Sequence, residues 1–480
     1  MLEGSITLVS MENLKKVFSA VAAVLGKTGQ RVEHPEVCRR LAALGAQTSE
    51  ADGLVRYPEK VLLNTLKAYR GHQGPQAGRR SQFPEKFSAS LGDGCFFLYD
   101  HGGKSRRKAT EEDFVRILRF ANAIGEISYL QAPVELAGVP IPVMVVRELA
   151  LCYLNTTIPC GIENNIPQQV KHLAKLRDVY NAHHETPQSL GNAQGSTSPL
   201  IFGWRAAELL LEGMKYGFGH GTYTMAIAGA NAPVTPEGCA VQAAAEVLGS
   251  MTCIAACDPE HLGGMLALTG TMDMRTGKAL FSSPSAILQN IIVTEMFRRV
   301  HGVDVGCNWP WYTDAVVPGL QAALEHQTKQ IIYAAHSGFP VFHVGDLDGA
   351  KLHSNEQMII DLDVSRGVWE MLKPLAFDDQ SLAVAEIERI GAEHGRTHLD
   401  SDFTLERHRE ALWNPRVLPR GYWREGAGGF SEADILDAAH AFYEKTVDAY
   451  EPGPLPAGFE RDIRKVLDEA QEDLKNLKSG

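Results

Sequence analysis

The chain has 480 residues, 44% of them hydrophobic and 22% charged, which is ordinary globular composition and excludes a disordered or low-complexity protein. Its 58 acidic and 46 basic residues give a net charge of -12 with no long basic run, which argues against nucleic acid or an anionic membrane as main partner. The opening MLEGSITLVSMENLKKVF has no basic stretch leading into an apolar one, and no window approaches the roughly 18 uninterrupted apolar residues of a membrane span, so a cytoplasmic protein is expected.

In chain order, residues 1–125 read as a helical region with a short β insert. LKKVFSAVAAVLGKTG carries apolar residues at helical spacing and stops at glycine, while PEVCRRLAALGA and PEKVLLNTLKAYR both begin on the proline that suits a first helical turn. CFFLYDHGGKSR reads as strand and turn, and Thr110, with Asp113 three residues on, is an N-cap for the helix EEDFVRILRFANAI.

From residue 126 to about 400, short β-rich runs alternate with amphipathic helices. The strands are ISYLQAPVEL, TTIPCGIE, QSLGNAQ, GTYTMAIAGA, GGMLALTG, VDVGCNW and FPVFHVGDL. Repeated strand–helix alternation predicts a parallel sheet, and seven or eight units fit a closed (β/α)₈ TIM barrel better than an open doubly wound sheet. The eighth strand is the weakest element. Residues 401–480 read as a C-terminal helical extension packed on the barrel or on a second subunit, and a homo-oligomer is expected. No G-x-G-x-x-G or G-x-x-x-x-G-K-[ST] follows a strand, and no G-x-S-x-G is present, so nucleotide binding and serine hydrolysis lack a motif.

Barrel active sites lie at the C-terminal ends of the strands. The residues there include Gln131, Glu135, Glu163, Asn164, Asn192, Gln194, Asn231, Thr269, Asp273, Asn308, Trp309, Trp311, Tyr312, His343, Asp346 and Asp348, a set rich in amides and aromatics. Metal-ligand spacing is poor. Cys253 and Cys257 lie in the apolar run SMTCIAAC and read as core thiols, His183 and His184 read as cations at a helix C-terminus, and His394 with His398 is the remaining pair. No tightly bound metal is expected. The eight cysteines are read as reduced. DVGCNWPWYTDA places two of the six tryptophans and a tyrosine on one loop, either as rings packed on the rim or as a cage for a cation. Asp314 there is an N-cap or an added charge. His343 is a core histidine or a site residue, and Asp346 and Asp348 are turn residues or site acids.

The order of several segments carries a resemblance. DHGGKSRRKATEEDF, TSPL, GANAPVTPEGCAVQAAAEVL, MDMRTG, TDAVVPGLQAALE, FHVGDLDGAKLHSNEQMI and DFTLERHREALWNPRVLPRGYW occur in the order found in the trimethylamine methyltransferase family of corrinoid-dependent enzymes. The chain resembles in particular its members without pyrrolysine, which act on quaternary amines such as glycine betaine. The family more often reads H-D-x-G-Y-L where this chain has HVGDL, a departure at Val344 and Asp346, and no pyrrolysine is present, which points away from trimethylamine itself.

The resemblance implies a TIM barrel that holds a methylated amine while a separate corrinoid-binding protein presents a cobalt(I) cofactor (a cobalamin-type corrinoid) to the open face. It implies Trp309, Trp311, Tyr312, Phe202, Tyr223 and His220 as the methylammonium pocket, with Asn192 and Glu163 beside them. His343 and Asp346 stand at the catalytic centre, and Gly270, Asp273 and Arg275 meet the corrinoid or its carrier. Two other classes compete: a zinc-dependent or other TIM-barrel enzyme, which metal analysis would reveal, and a non-catalytic betaine-binding or regulatory homologue.

Overall fold

Helix signals in the sequence act locally. In the computed structural model, which describes residues 7–49, 51–74, 83–307, 311–337, 340–392, 395–421 and 430–477, the first three helices are α1 (Met11–Ala23), α2 (Pro35–Ala43) and α3 (Glu59–Gln73). Ser10 accepts from the Asn13 N–H to open α1, and Pro35 opens α2. At α4 (Glu111–Ile124) the Thr110 and Asp113 side chains each bond the other's backbone N–H, and Gly125, at φ 65°, ends the helix in a left-handed turn. That turn delivers the chain directly into the Ile127–Leu130 strand.

The next helices, α5 (Ile141–Asn155), α6 (Val170–His183), α7 (Trp204–Met214), α8 (Pro236–Cys257), α9 (Pro284–Glu295), α10 (Leu320–Ser337) and α11 (Asn355–Leu372), alternate with short strands. Four of these strands, Gly191–Ser196, Gly219–Thr224, Leu262–Ala267 and Gly306–Cys307, pair in parallel in chain order. A second parallel arc runs His343–Val344, Ala89–Leu91, Ile127–Leu130, with a bridge from Leu130 to Cys160.

Two expectations change. The fold is mixed α/β, but among the described residues no strand pairing joins Cys160 to Gly191–Ser196 or Cys307 to His343–Val344, so the hydrogen-bonded sheet is not a closed barrel. The segments beside the seams are brief: Gly306–Cys307 and His343–Val344 have two residues each, and Cys160 joins by a single bridge. A strand absent from the sequence reading, Ala89–Leu91, lies ahead of residue 126 and pairs with strands on both sides.

Helix α8 is the only described helix long and apolar enough to cross a membrane by composition, and 78% of its most apolar window is buried inside the fold. It packs against α1, α2, α3 and α9, so its apolar surface is spent on the core. Its one buried acid, Glu246, is satisfied by the Ser198 hydroxyl (2.7 Å), the Leu200 N–H (3.0 Å), the Gln242 amide (2.9 Å) and the Thr224 hydroxyl. All eight cysteines are free thiols, seven of them buried.

After α11, three short helices, α12 (Asp379–Leu382), α13 (Val384–Ala392) and α14 (Asp402–Ala411), lead to α15 (Glu432–Asp448) and α16 (Phe459–Leu474). Helix α15 lies on α4 and α11, and α16 on α5 and α6. Tyr443 packs on Phe120 at 5.3 Å, and the Arg416 and Val417 N–H groups donate to buried Asp363 at 2.6 and 2.9 Å. His183 and His184 serve this docking: His183 pairs with Asp462 at 3.1 Å, and His184 stacks on Tyr180 and meets Phe459 edge-on.

Candidate active site

A cavity of about 560 Å³ is walled by the segments that follow the C-terminal ends of the strands. Asp93 follows Ala89–Leu91, Gln131 follows Ile127–Leu130, Glu163 follows Cys160, and Met225 follows Gly219–Thr224. Ala279 and Phe281 come from the hairpin after Leu262–Ala267, Tyr312 from the loop after Gly306–Cys307, and Asp348 to Lys351 from the turn after His343–Val344. Among the paired strands of the two arcs, all but Gly191–Ser196 thus send a following segment to one place.

Acids outnumber bases on the wall. Glu135 and Asp348 are paired to Lys108 (3.3 Å) and Lys278 (2.8 Å), but among the described residues Asp93, Glu148 and Glu163 have no ion pair. Burial and the neighbouring acids Glu135 and Glu163 push the Glu148 carboxyl up to about 8. Glu148 is 7% exposed, and its Oε1 has no hydrogen-bond partner. Burial, with the charges of Asp346 and Glu163, also raises Asp93 well above the usual carboxylate range, against a hydrogen bond from Tyr312. Glu163 shows its surface to the open cavity rather than to packed protein, and it too is raised, by lost solvation and by Glu135. Lys351 is the one basic lining residue.

Tyr312 and Phe281 contribute tilted rings 5.1 Å apart, and Phe96 a third ring. Tyr312 has φ 58°, Asp348 52° and Ala350 60°, so three non-glycine residues in the left-handed region line one cavity. Backbone held this way costs of order 1–3 kcal/mol per residue and persists where surroundings enforce it. Here the enforcement is visible. Buried Lys329 on α10, its ammonium pulled down to about 8 by desolvation, donates to the Trp311 carbonyl at 2.5 Å and the Tyr312 carbonyl at 3.3 Å. The Asp314 carboxylate accepts from the Phe281 and Ser282 N–H groups at 2.6 and 2.9 Å, so it anchors the loop to the neighbouring hairpin and caps no helix.

His343 and Asp346 form a buried pair at 2.6 Å, behind the cavity wall rather than on it. The other His343 ring nitrogen meets the Ser90 hydroxyl at 2.9 Å, and Asp346 also receives the Cys95 thiol at 3.4 Å. Burial alone would raise Asp346, but the imidazoles of His343 and His353 more than offset it and hold the carboxyl far below its ordinary range. The charge of Asp346 reaches Asp93 and Tyr312, and Trp311 sits edge-on to His343 at 5.7 Å.

Other expected site residues separate. Tyr223 faces the acids, where burial and the charges of Glu163 and Asp93 push its hydroxyl up to about 12, and Gly195 leaves room for its ring. His220, three positions earlier on the same strand, points to the opposite face. There it and Asn192 press against Gly213 of α7, so neither lines the cavity; burial lowers the His220 imidazole to about 4. Phe202 is fully buried in the N-terminal core, in a strand paired with Gln30–Val32, and is a packing residue. Gly270 is hemmed in by Ile227 and Leu280, Asp273 ties its own turn to the Arg275 N–H and the Thr276 hydroxyl, and Arg275 is exposed. Asn308, Trp309 and His394 lie outside the described residues. Asp93 and Glu148 escaped the sequence reading. The available signals were an acid in the turn LGDG just after a strand, and a single acid in the apolar helix PVMVVRELALCYL.

The sequence profile of the trimethylamine methyltransferase (MTTB) family matches residues 3–474. The chain belongs to that family. It is therefore a methyltransferase of the trimethylamine methyltransferase family, with the profile spanning nearly its whole length. Trimethylamine methyltransferase MttB of Methanosarcina barkeri (strain Fusaro / DSM 804) is 23% identical over 499 residues, covering 98% of this chain and 97% of its own. Trimethylamine methyltransferase MttB of Desulfitobacterium hafniense (strain DSM 10664 / DCB-2) is 23% identical over 488 residues, covering 97% and 94%. The crystal structure of the Methanosarcina barkeri monomethylamine methyltransferase (MtmB) is a more distant likeness, 12% identical with a TM-score of 0.47 over 99% of this chain and 89% of that one.

Proposed function

We propose that this trimethylamine methyltransferase family member binds a methylated, positively charged amine in the acid-lined cavity and passes one methyl group to the corrinoid of a partner protein. The observation that carries this is the coincidence, on one concave surface, of three acids without an ion pair and the rings of Tyr312, Phe281 and Phe96. A quaternary ammonium satisfies both: carboxylates offset its charge, and aromatic faces attract it without donating hydrogen bonds it cannot accept. A betaine-type substrate would set its own carboxylate toward Lys351.

The two parallel arcs together supply eight strand positions in barrel order, and we read them as a (β/α)₈ barrel that begins at Ala89, with the N-terminal and C-terminal helices as extensions. A corrinoid fits this cavity as a visitor. The lining holds no His or Cys to ligate cobalt, and its volume suits a small amine rather than a macrocycle. The segments bearing Ala279 and Tyr312 carry exposed Met274, Val316 and Val317 beside Arg275, a rim suited to a docking partner.

When presented, reduced cobalt supplies the nucleophile that accepts the methyl carbon, and the amine leaves neutral. The chain's own residues bind and orient. Because positive charge disappears from nitrogen along the reaction, three full negative charges would hold the ground state harder than the transition state. Burial and neighbouring acids instead raise all three carboxyls, Glu148 to about 8, which disfavours full ionisation and softens that grip. Alignment of the methyl carbon then carries several kcal/mol of the barrier. The test combines the chain with a reduced corrinoid carrier and a panel of quaternary and tertiary methylamines. Loss of the cobalt(I) absorption with at least one of them is expected; no change with any, alongside tight amine binding, would favour a binding protein instead.

A further inference from the structure

We propose that His101, Glu356 and His440 form a binding site for one divalent cation of the zinc type, with Asp437 orienting His101. These residues come from three places that the linear sequence keeps apart: the turn of the Phe97–Asp100/Ser105–Arg107 hairpin, the first turn of α11, and the middle of α15. Folding brings one ligand atom from each within 4.8 Å of the others.

The chemistry of the donors selects the ion. Two imidazoles and one carboxylate suit zinc and its first-row neighbours, whereas calcium and magnesium take mostly oxygen ligands. The His440 Nδ1 is 2.9 Å and the His101 Nδ1 is 3.8 Å from the same Glu356 oxygen, Oε1. Donors bound about 2.0–2.2 Å from a tetrahedral ion are separated by roughly 3.4 Å, so rotations of these side chains complete the geometry. The two imidazole rings stack at 4.4 Å, 12° from parallel, and both present Nδ1 to one carboxylate.

The outer shell is also present. The far nitrogen of His101, Nε2, is held by Asp437 at 2.9 Å, the carboxylate–histidine arrangement that orients metal-ligating imidazoles. Glu356 is 2% exposed, and its second oxygen, Oε2, accepts from the Ser354 hydroxyl at 2.8 Å, which leaves Oε1 for the ion. The His440 side chain is 41% exposed, so the fourth position faces solvent. A bound ion would join α15 to the hairpin and to the start of α11, outside the cavity lining, so zinc held here does not mark a zinc-dependent methyltransferase.

The test uses the untagged full-length chain, stripped with chelator and titrated with zinc chloride by calorimetry and with cobalt(II) chloride by visible absorption. One ion per chain is expected, with the intense d–d bands of a low-symmetry cobalt site and a zinc-dependent rise in melting temperature. His440→Ala should weaken zinc binding by more than about 100-fold and Asp437→Asn by about 10- to 100-fold, with far-ultraviolet circular dichroism unchanged. His261→Ala, at a separate histidine paired with Asp258, should bind as the wild type does. Absence of saturable binding in the wild type, or wild-type affinity in both His440→Ala and His101→Ala, overturns the site.

Discussion

Two buried glutamates, each inside an apolar helix, have opposite surroundings. Glu246 on α8 is fully enclosed and receives four hydrogen bonds, while Glu148 on α5 lines the cavity with Oε1 unpartnered and its carboxyl pushed up to about 8. A buried charge with all its donors in place belongs to the fold. One left incomplete beside a concave space is open to a ligand, and in the function proposed above that ligand is an organic cation. The same contrast separates the two faces of the Gly219–Thr224 strand: His220 is packed on α7, and Tyr223 stands near the acids.

The comparison breaks most sharply through the packing residues. Phe202→Ala should cost about 3–5 kcal/mol of unfolding free energy, the usual range for a deleted core phenylalanine, with amine affinity unchanged in the protein that still folds. Denaturant titration and calorimetry measure the two separately; a selective loss of affinity would return Phe202 to the pocket. Next comes Glu246→Ala, which strands four donors and should destabilise by about 2–4 kcal/mol, again without a direct effect on binding.

At the cavity the order reverses, and binding moves more than stability. Tyr312→Ala should weaken tetramethylammonium or betaine binding by about 1–2 kcal/mol, a desolvated cation–π contact, and Tyr312→Phe by much less. Unchanged affinity in the alanine variant would reduce the ring to packing.

Glu148→Gln should weaken binding about tenfold, and it carries a pH signature. The folded Glu148 pKa lies above the ordinary 4.5, so between that value and about 8 the folded chain holds a proton the unfolded chain has released. Stability therefore falls as pH rises through this window, while cation affinity rises and binding releases protons. The glutamine variant should flatten both profiles. Proton release that persists in it would assign the titration to Asp93 or Glu163. The smallest effect belongs to Arg275→Ala, for which the melting temperature and amine affinity should stay put and only the dependence on corrinoid-carrier concentration should shift a few-fold. A purely wild-type carrier dependence would remove that turn from the docking face.

How much of this was legible beforehand depends on range. The cap at Thr110 with Asp113, the proline that opens α2, and the alternation of strand and helix follow from neighbours along the chain, and the structure has them, while Pro58 stands one place before α3 as its N-cap. The aromatic loop divides: Tyr312 lines the cavity, whereas Trp311 backs onto His343 behind its wall. Asn192 was read from its place near a strand end, and His220 and Phe202 from the resemblance; strand alternation or core pairing sends each of them elsewhere. The strand Ala89–Leu91 is three residues long, too brief for any period to register, and its identity rests on the two strands beside it.

The sequence by itself determined helices, their caps, the order of α/β units and the family, because these depend on spacing within a few residues or on the succession of motifs. Only the tertiary structure decided which acids share a cavity, which carboxylates find partners, and which histidines converge from distant segments. Electrostatic character depends on distance and desolvation in space. Neither can be read from separation along a chain.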